Sequence, residues 1–180
     1  MMTSAMRTLL YTVLLCGGAL APAETPAPAS AEPIEQLGRL LGRWTTRGEM
    51  KATPYSTAGA VSSELDCGWA PRHSFMICSQ LVRSAAGAQE QLSVYTYSAA
   101  GRAFRFVGWS REDAHPRTPE LRIEDNVWSY SSETEIDGRP VRFRTVNTFT
   151  SPTTMLWRSE YAEGSAPWRL LGEGADERVE

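Results

Sequence analysis

The chain has 180 residues, with 18 Lys+Arg against 21 Asp+Glu and a formal charge of −3. That length suits one domain with a real core and is too short for two large ones. The charge balance excludes a nucleic-acid role built on overall basicity, and 9% aromatics argue against disorder.

Arg7, the apolar run Leu9 to Leu20 and the small residues Ala21-Pro22-Ala23 read as a cleaved secretory signal peptide over residues 1–23. The run falls short of the ~20 residues that span a bilayer, so no membrane span is expected after cleavage. Cys16 reads as filler within it, because Val13-Leu14-Leu15 lacks the small residues of a lipoprotein site. Residues 24–33, ETPAPASAEP, alternate Ala and Pro and form neither helix nor central strand. They read as a tether, leaving residues 34–180 as a single domain.

Ile34, Leu37, Leu40 and Leu41 recur at helical spacing over one short segment ended by Gly42. Period two dominates from there. Arg43 to Ala52, Ala58 to Cys67, Ser74 to Val82, Gln91 to Ser98 and the alternation Phe104, Phe106, Gly108 each predict a strand. Leu121 and Ile123 begin another. Val127 to Ile136 and Val141 to Thr150 flank Asp137-Gly138, a strong hairpin signal. Met155 to Tyr161 and Trp168 to Glu173 close the run. This is an all-β pattern of about nine or ten short antiparallel strands after one short helix. A barrel removes the two edges that an open sheet would expose, so an up-and-down β-barrel is expected, with a two-sheet β-sandwich as the alternative. At that width side chains need not fill the interior, and a ligand cavity becomes feasible.

Cys67 and Cys78 flank the turn residues Gly68 to His73. A turn centred between Arg72 and His73 sets the two cysteines opposite each other on one face. In an oxidising compartment such a pair closes, and we expect a disulfide rather than two buried thiols. Two Cys with one loop His do not have ligand spacing, so no metal site is expected.

At Gly42-Arg43-Trp44 the sequence resembles the opening of lipocalin-like, or calycin, barrels, where a short helix leads into G-x-W on the first strand. LGRLLGRW, CGWAPRHSFMIC, YSAAGRAFRFVGW, NVWSYSSETEIDGRPVRFR and the Trp157/Trp168 segment, in that order, resemble the DUF1579 family of uncharacterised, often exported bacterial domains. The resemblance covers most of Leu37 to Val179. It implies the barrel fold and carries no catalytic residue. It also implies that Gly42 and Trp44 are structural, with Trp44 buried near Leu37 and Leu41 beneath an Arg from the last strand, Arg169 or Arg178.

The sequence holds no G-x-S-x-G elbow, phosphate-binding Gly loop, H-E-x-x-H or C-x-x-C, and neither an enzyme nor a cofactor is expected. Glu64 and Asp66 share a strand face, which reads as solvated before it reads as an acid/base pair. His73 and His115 are placed in loops beside Pro, off any strand face, which disfavours a haem barrel; a hydrolase is equally disfavoured. The recurring aromatics serve core packing first. Phe104, Phe106, Trp109 and Trp128 are the candidate cavity-lining residues for a small apolar ligand. Phe104 and Phe106 share one side and Trp109 takes the other, unless Gly108 hosts a bulge. The alternative is a structural or protein-interaction module with a filled core. The sequence leaves oligomeric state open.

Overall fold

The computed structural model describes residues 32–179. The expected signal peptide, and the tether apart from Glu32 and Pro33, lie outside the described residues. The described chain begins with a 3-10 helix, Pro33–Leu40. Pro33 at its first turn suits a position whose N–H has no helical partner. The spacing Ile34, Leu37, Leu40 fits three residues per turn and stacks the apolar side chains on one edge. Leu37 and Leu40 are fully buried. Gly42 then turns the chain into the first strand at φ +91°, a conformation that side chains rarely adopt.

Eleven strands follow: β1 (Gly42–Met50), β2 (Gly59–Trp69), β3 (Met76–Ser84), β4 (Gly87–Ser98), β5 (Ala103–Ser110), β6 (Asp113–Arg117), β7 (Glu120–Glu124), β8 (Val127–Ile136), β9 (Arg139–Ser151), β10 (Thr154–Glu163) and β11 (Arg169–Val179). All pairings are antiparallel. The order β4-β3-β2-β1-β11-β10-β9-β8-β7-β5 closes through β4–β5 into one barrel, which decides against the sandwich. Asp137 and Gly138 both take positive φ (51° and 72°), as a two-residue hairpin turn requires.

The expected count of strands misses β6, and with it the position of His115. That residue is exposed on β6, a strand, and not in a loop. The reason is Pro116. A proline breaks a strand pattern because it has no N–H to donate, yet β6 is an edge strand that pairs only with β5. The chain then bends at residues 118–119, and β7 meets β5 at the single pair Arg105↔Glu120. β7 pairs with β8 only from Glu120↔Ser131 to Glu124↔Val127. The far half of β8, from Ser132 to Ile136, is paired on its β9 side alone. The barrel wall is therefore split there, between β6 and β8.

Candidate functional site

Alternation fixes which side chains point inward. At one end they seal the barrel. Trp44, Met76, Trp128, Cys67, Cys78, Phe149 and Tyr95 form a buried cluster with Leu37 and Leu40 from the helix. Its aromatic rings meet at centroid distances of 6.1 Å (Trp44–Phe149), 5.3 Å (Trp128–Phe149) and 6.4 Å (Tyr95–Trp128). The Trp44 indole N–H donates to the Leu40 carbonyl at 2.9 Å, tying the barrel floor to the helix end. Arg178 lies over the Trp44 ring at 4.7 Å and donates to the Arg39 carbonyl at 2.5 Å. One side chain thus clasps both the plug and the helix C-terminus. Arg169, the other candidate for this stack, stands opposite Tyr161 at the start of β11, at the other end of the barrel.

Cys67 and Cys78 face each other across β2 and β3 and are joined by a disulfide with Cα atoms 4.1 Å apart. The bridge is buried in the floor.

Above the floor the inner wall changes character. Gln80 donates to Ser63 (2.9 Å), Ser63 to Thr46 (2.7 Å), and Thr46 to the Asp176 carboxylate. These four residues come from β3, β2, β1 and β11, adjacent strands, and form one hydrogen-bonded row across the wall. Asp176 is 6% exposed. Burial pushes its carboxyl up to about 6, opposed only in part by the Thr46 hydroxyl. Among the described residues no Lys, Arg or His forms an ion pair with it. The row directly beyond it carries Gly48 on β1 and Gly174 on β11, which are paired. The Trp157 indole from β10 occupies the space their side chains would fill: a Cβ would lie 2.4 Å from it at Gly48 and 2.8 Å at Gly174.

The facing wall is aromatic. Phe106 packs edge-on against Tyr95 (5.0 Å) and Tyr130 (5.4 Å), and the two tyrosine hydroxyls are 3.5 Å apart. Burial raises both phenols above their ordinary value; for Tyr130 the charge of Asp176 adds to the effect. Nearer the open end, Gln80, Gln91, Thr145, Trp157 and Ser159 are only partly buried, although alternation turns them inward. Solvent therefore reaches the inner wall above a dry floor.

The sequence-selected residues divide accordingly. Phe104 and Phe106 point inward, Phe104 against Tyr97 (5.1 Å) in the floor region and Phe106 higher up. Trp128 is sealed in the floor at 0% exposure. Trp109 is outside. The β4–β5 register runs unbroken from Ser98↔Ala103 to Gln91↔Ser110, so alternation is preserved; the shift near Gly108 occurs only on the β6 side. Trp109 sits beside Leu92 in a shallow groove on the outer face, among Arg43, Asp66 and Arg111. Glu64 also faces outward, paired with Arg83 at 2.9 Å, and His73 stacks on Trp69 at 5.2 Å. The polar row escapes sequence reading, and Trp157 is read only as part of the closing aromatic segment and not as a site residue. Their signal was Gly172-Glu173-Gly174 inside a strand, since strand glycines mark close approach of another group.

Asp176 gives a stability prediction. Burial pushes its folded carboxyl up to about 6 from the ordinary aspartate value of 3.8, so the folded protein binds the proton more tightly than the unfolded chain. Stability attributable to this group rises as pH falls from about 6 toward 4 and is lost as pH rises through that window. Asp176→Asn keeps an acceptor for Thr46 and removes the charge. Urea unfolding should find the variant more stable than wild type at pH 7.5, on the order of 2 kcal/mol, with the gap closing by pH 4.

No family model matches this chain, nor does any curated protein. Solved structures do. Rv2717c from M. tuberculosis superposes with a TM-score of 0.57 at 13% identity, covering 83% of this chain and 99% of that one. The S-type phycobiliprotein lyase CPES from Guillardia theta gives 0.54 at 14% identity, covering 81% and 92%. At such identities the likeness is one of fold, and it shows a lipocalin-like barrel. The DUF1579 resemblance rests on the sequence blocks alone.

Proposed function

We propose that this protein is an exported, non-catalytic domain of the DUF1579 type whose barrel holds a small apolar or amphipathic molecule. One observation carries the reading: inward side chains that are sealed at the helix end and partly exposed above it, with an aromatic wall facing a hydrogen-bonded polar one. A ligand site of this kind is mostly apolar with a few fixed polar groups. The similarity to a phycobiliprotein lyase supports a barrel that accommodates a small molecule. The disulfide supports an oxidising compartment. Among the described residues no helix is long and apolar enough to cross a membrane.

The test is titration of the mature protein with N-phenyl-1-naphthylamine, an environment-sensitive apolar probe. Saturable fluorescence is expected. Phe106→Arg should abolish it by placing a charge against the aromatic wall, and Thr145→Trp, beside Tyr130, should do so by filling the lumen. Circular dichroism checks that each variant folds. An interaction module is the second reading, favoured by the exposed outer residues Ile77 (41%), Leu92 (45%) and Trp109 (38%). Absence of saturable binding in folded wild-type protein would favour it.

A further inference from the structure

We infer that the molecule held in the barrel is an organic cation, an ammonium group on an apolar body, recognised by Asp176 and Trp157. The inference rests on the ligand-binding reading above and names its chemistry. Asp176 is a buried carboxylate with a hydroxyl donor on one side and no cation among the described residues to balance it. The groups packed around it from other strands are Thr46 on β1, Ser63 behind Thr46 on β2, Met155 on β10 and Tyr130 across the lumen, and none of them brings a positive charge. The next inward residue on its own strand, Arg178, lies over the Trp44 ring, donates to the Arg39 carbonyl and forms no ion pair with Asp176. A buried charge without a partner is costly, and the cost is recovered when a cation arrives from solution.

Trp157 supplies the second element. Gly48 and Gly174 leave bare backbone, and the indole fills that space one row beyond Asp176. An indole beside a carboxylate is the combination that binds ammonium groups: the charge pairs with the anion while the ring quadrupole accepts the alkylated surface. Tyr130 adds a second aromatic face, and burial keeps its hydroxyl protonated, so it contributes no competing charge. The row Gln80–Ser63–Thr46 directs its last proton to Asp176 and so holds the carboxylate in place. An anionic ligand would meet repulsion from Asp176, and a neutral one would leave it unpaired.

The experiment compares three tail-matched compounds, decyltrimethylammonium, 1-decanol and decanoate, as displacers of N-phenyl-1-naphthylamine. The expected order places the ammonium about tenfold or more ahead of the alcohol, the scale of a desolvated cation–aromatic contact, with decanoate weakest. Lowering the pH from 7 to 5 should weaken the ammonium relative to the non-titrating 1-decanol as Asp176 protonates. Asp176→Asn should erase the preference, weakening the ammonium about tenfold or more relative to 1-decanol. Trp157→Leu should reduce it and Trp157→Phe restore part of it, so the inference stays open to refutation if one variant fails to fold. Equal displacement by ammonium and alcohol, or a preference that survives Asp176→Asn, overturns the cation assignment while the binding barrel stands. Failure of the reporter and all three compounds to bind overturns both.

Discussion

Trp44→Ala should destabilise the protein by about 3–5 kcal/mol, the loss expected when a large aromatic is cut from a packed core. Trp44 is 1% exposed and belongs to the floor cluster. Its ring packs against Phe149, its N–H holds the Leu40 carbonyl, and Arg178 lies over its face while holding the Arg39 carbonyl. Truncation leaves a void, an unpaired carbonyl at the helix end and an arginine without its platform. Trp44→Phe refills much of the void but cannot donate the hydrogen bond, so it should cost less. Arg178→Ala separates the clasp from the plug and should cost about 1 kcal/mol, mostly in docking of the Pro33–Leu40 helix. Urea unfolding monitored by far-UV circular dichroism gives all three values. A loss under about 1 kcal/mol for Trp44→Ala, the scale of a surface substitution, would show that the floor closes without it.

Much of this fold is written locally. The hairpin at Asp137-Gly138 is set by two residues that accept positive φ, and the facing of Cys67 and Cys78 follows from the midpoint of the intervening turn. The short helix is legible from Ile34, Leu37 and Leu40, all on one edge. Its tight winding becomes clear once the spacing of three is taken literally. The β6 strand is hidden by Pro116, because sequence cannot say that a strand lies at an edge where a missing donor is harmless.

The site was less legible, for a physical reason. Period two tells which residues share a face but not which face is inside. Alternation sets Phe104 and Phe106 on one side and Trp109 on the other, yet only closure of the ring assigns the first pair to the interior. Hydrophobicity then misleads, because an outward-facing strip on β3–β5 keeps Ile77, Leu92 and Trp109 exposed while the inner wall holds Gln80, Ser63, Thr46 and Asp176. Thr46, Ser63 and Gln80 lie on three consecutive strands, but Asp176 comes from β11, 130 residues after Thr46, and only closure of the ring brings it to them. A search for apolar lining passes over them.

Removal of the disulfide should cost about 3 kcal/mol. The bridge closes a loop whose ends are 11 residues apart, and a cross-link of that span lowers the entropy of the unfolded chain by about this amount in the loop-closure model. The native state supports it without rearrangement. Cys67 and Cys78 are register partners, and the buried pair sits in the floor with Met76 and Trp44. Replacing both cysteines by Ala keeps small apolar groups there and isolates the cross-link, whereas Ser would add two hydroxyls needing partners in a dry site. The double variant should retain the barrel spectrum, unfold at lower urea concentration and show a slightly larger m-value, since its unfolded chain is freer to expand. Thiol labelling of denatured, non-reduced mature wild type should find both cysteines blocked. Two reactive thiols, or a double-Ala variant as stable as wild type, would remove the bridge from the account of stability and leave the floor aromatics to hold that end of the barrel.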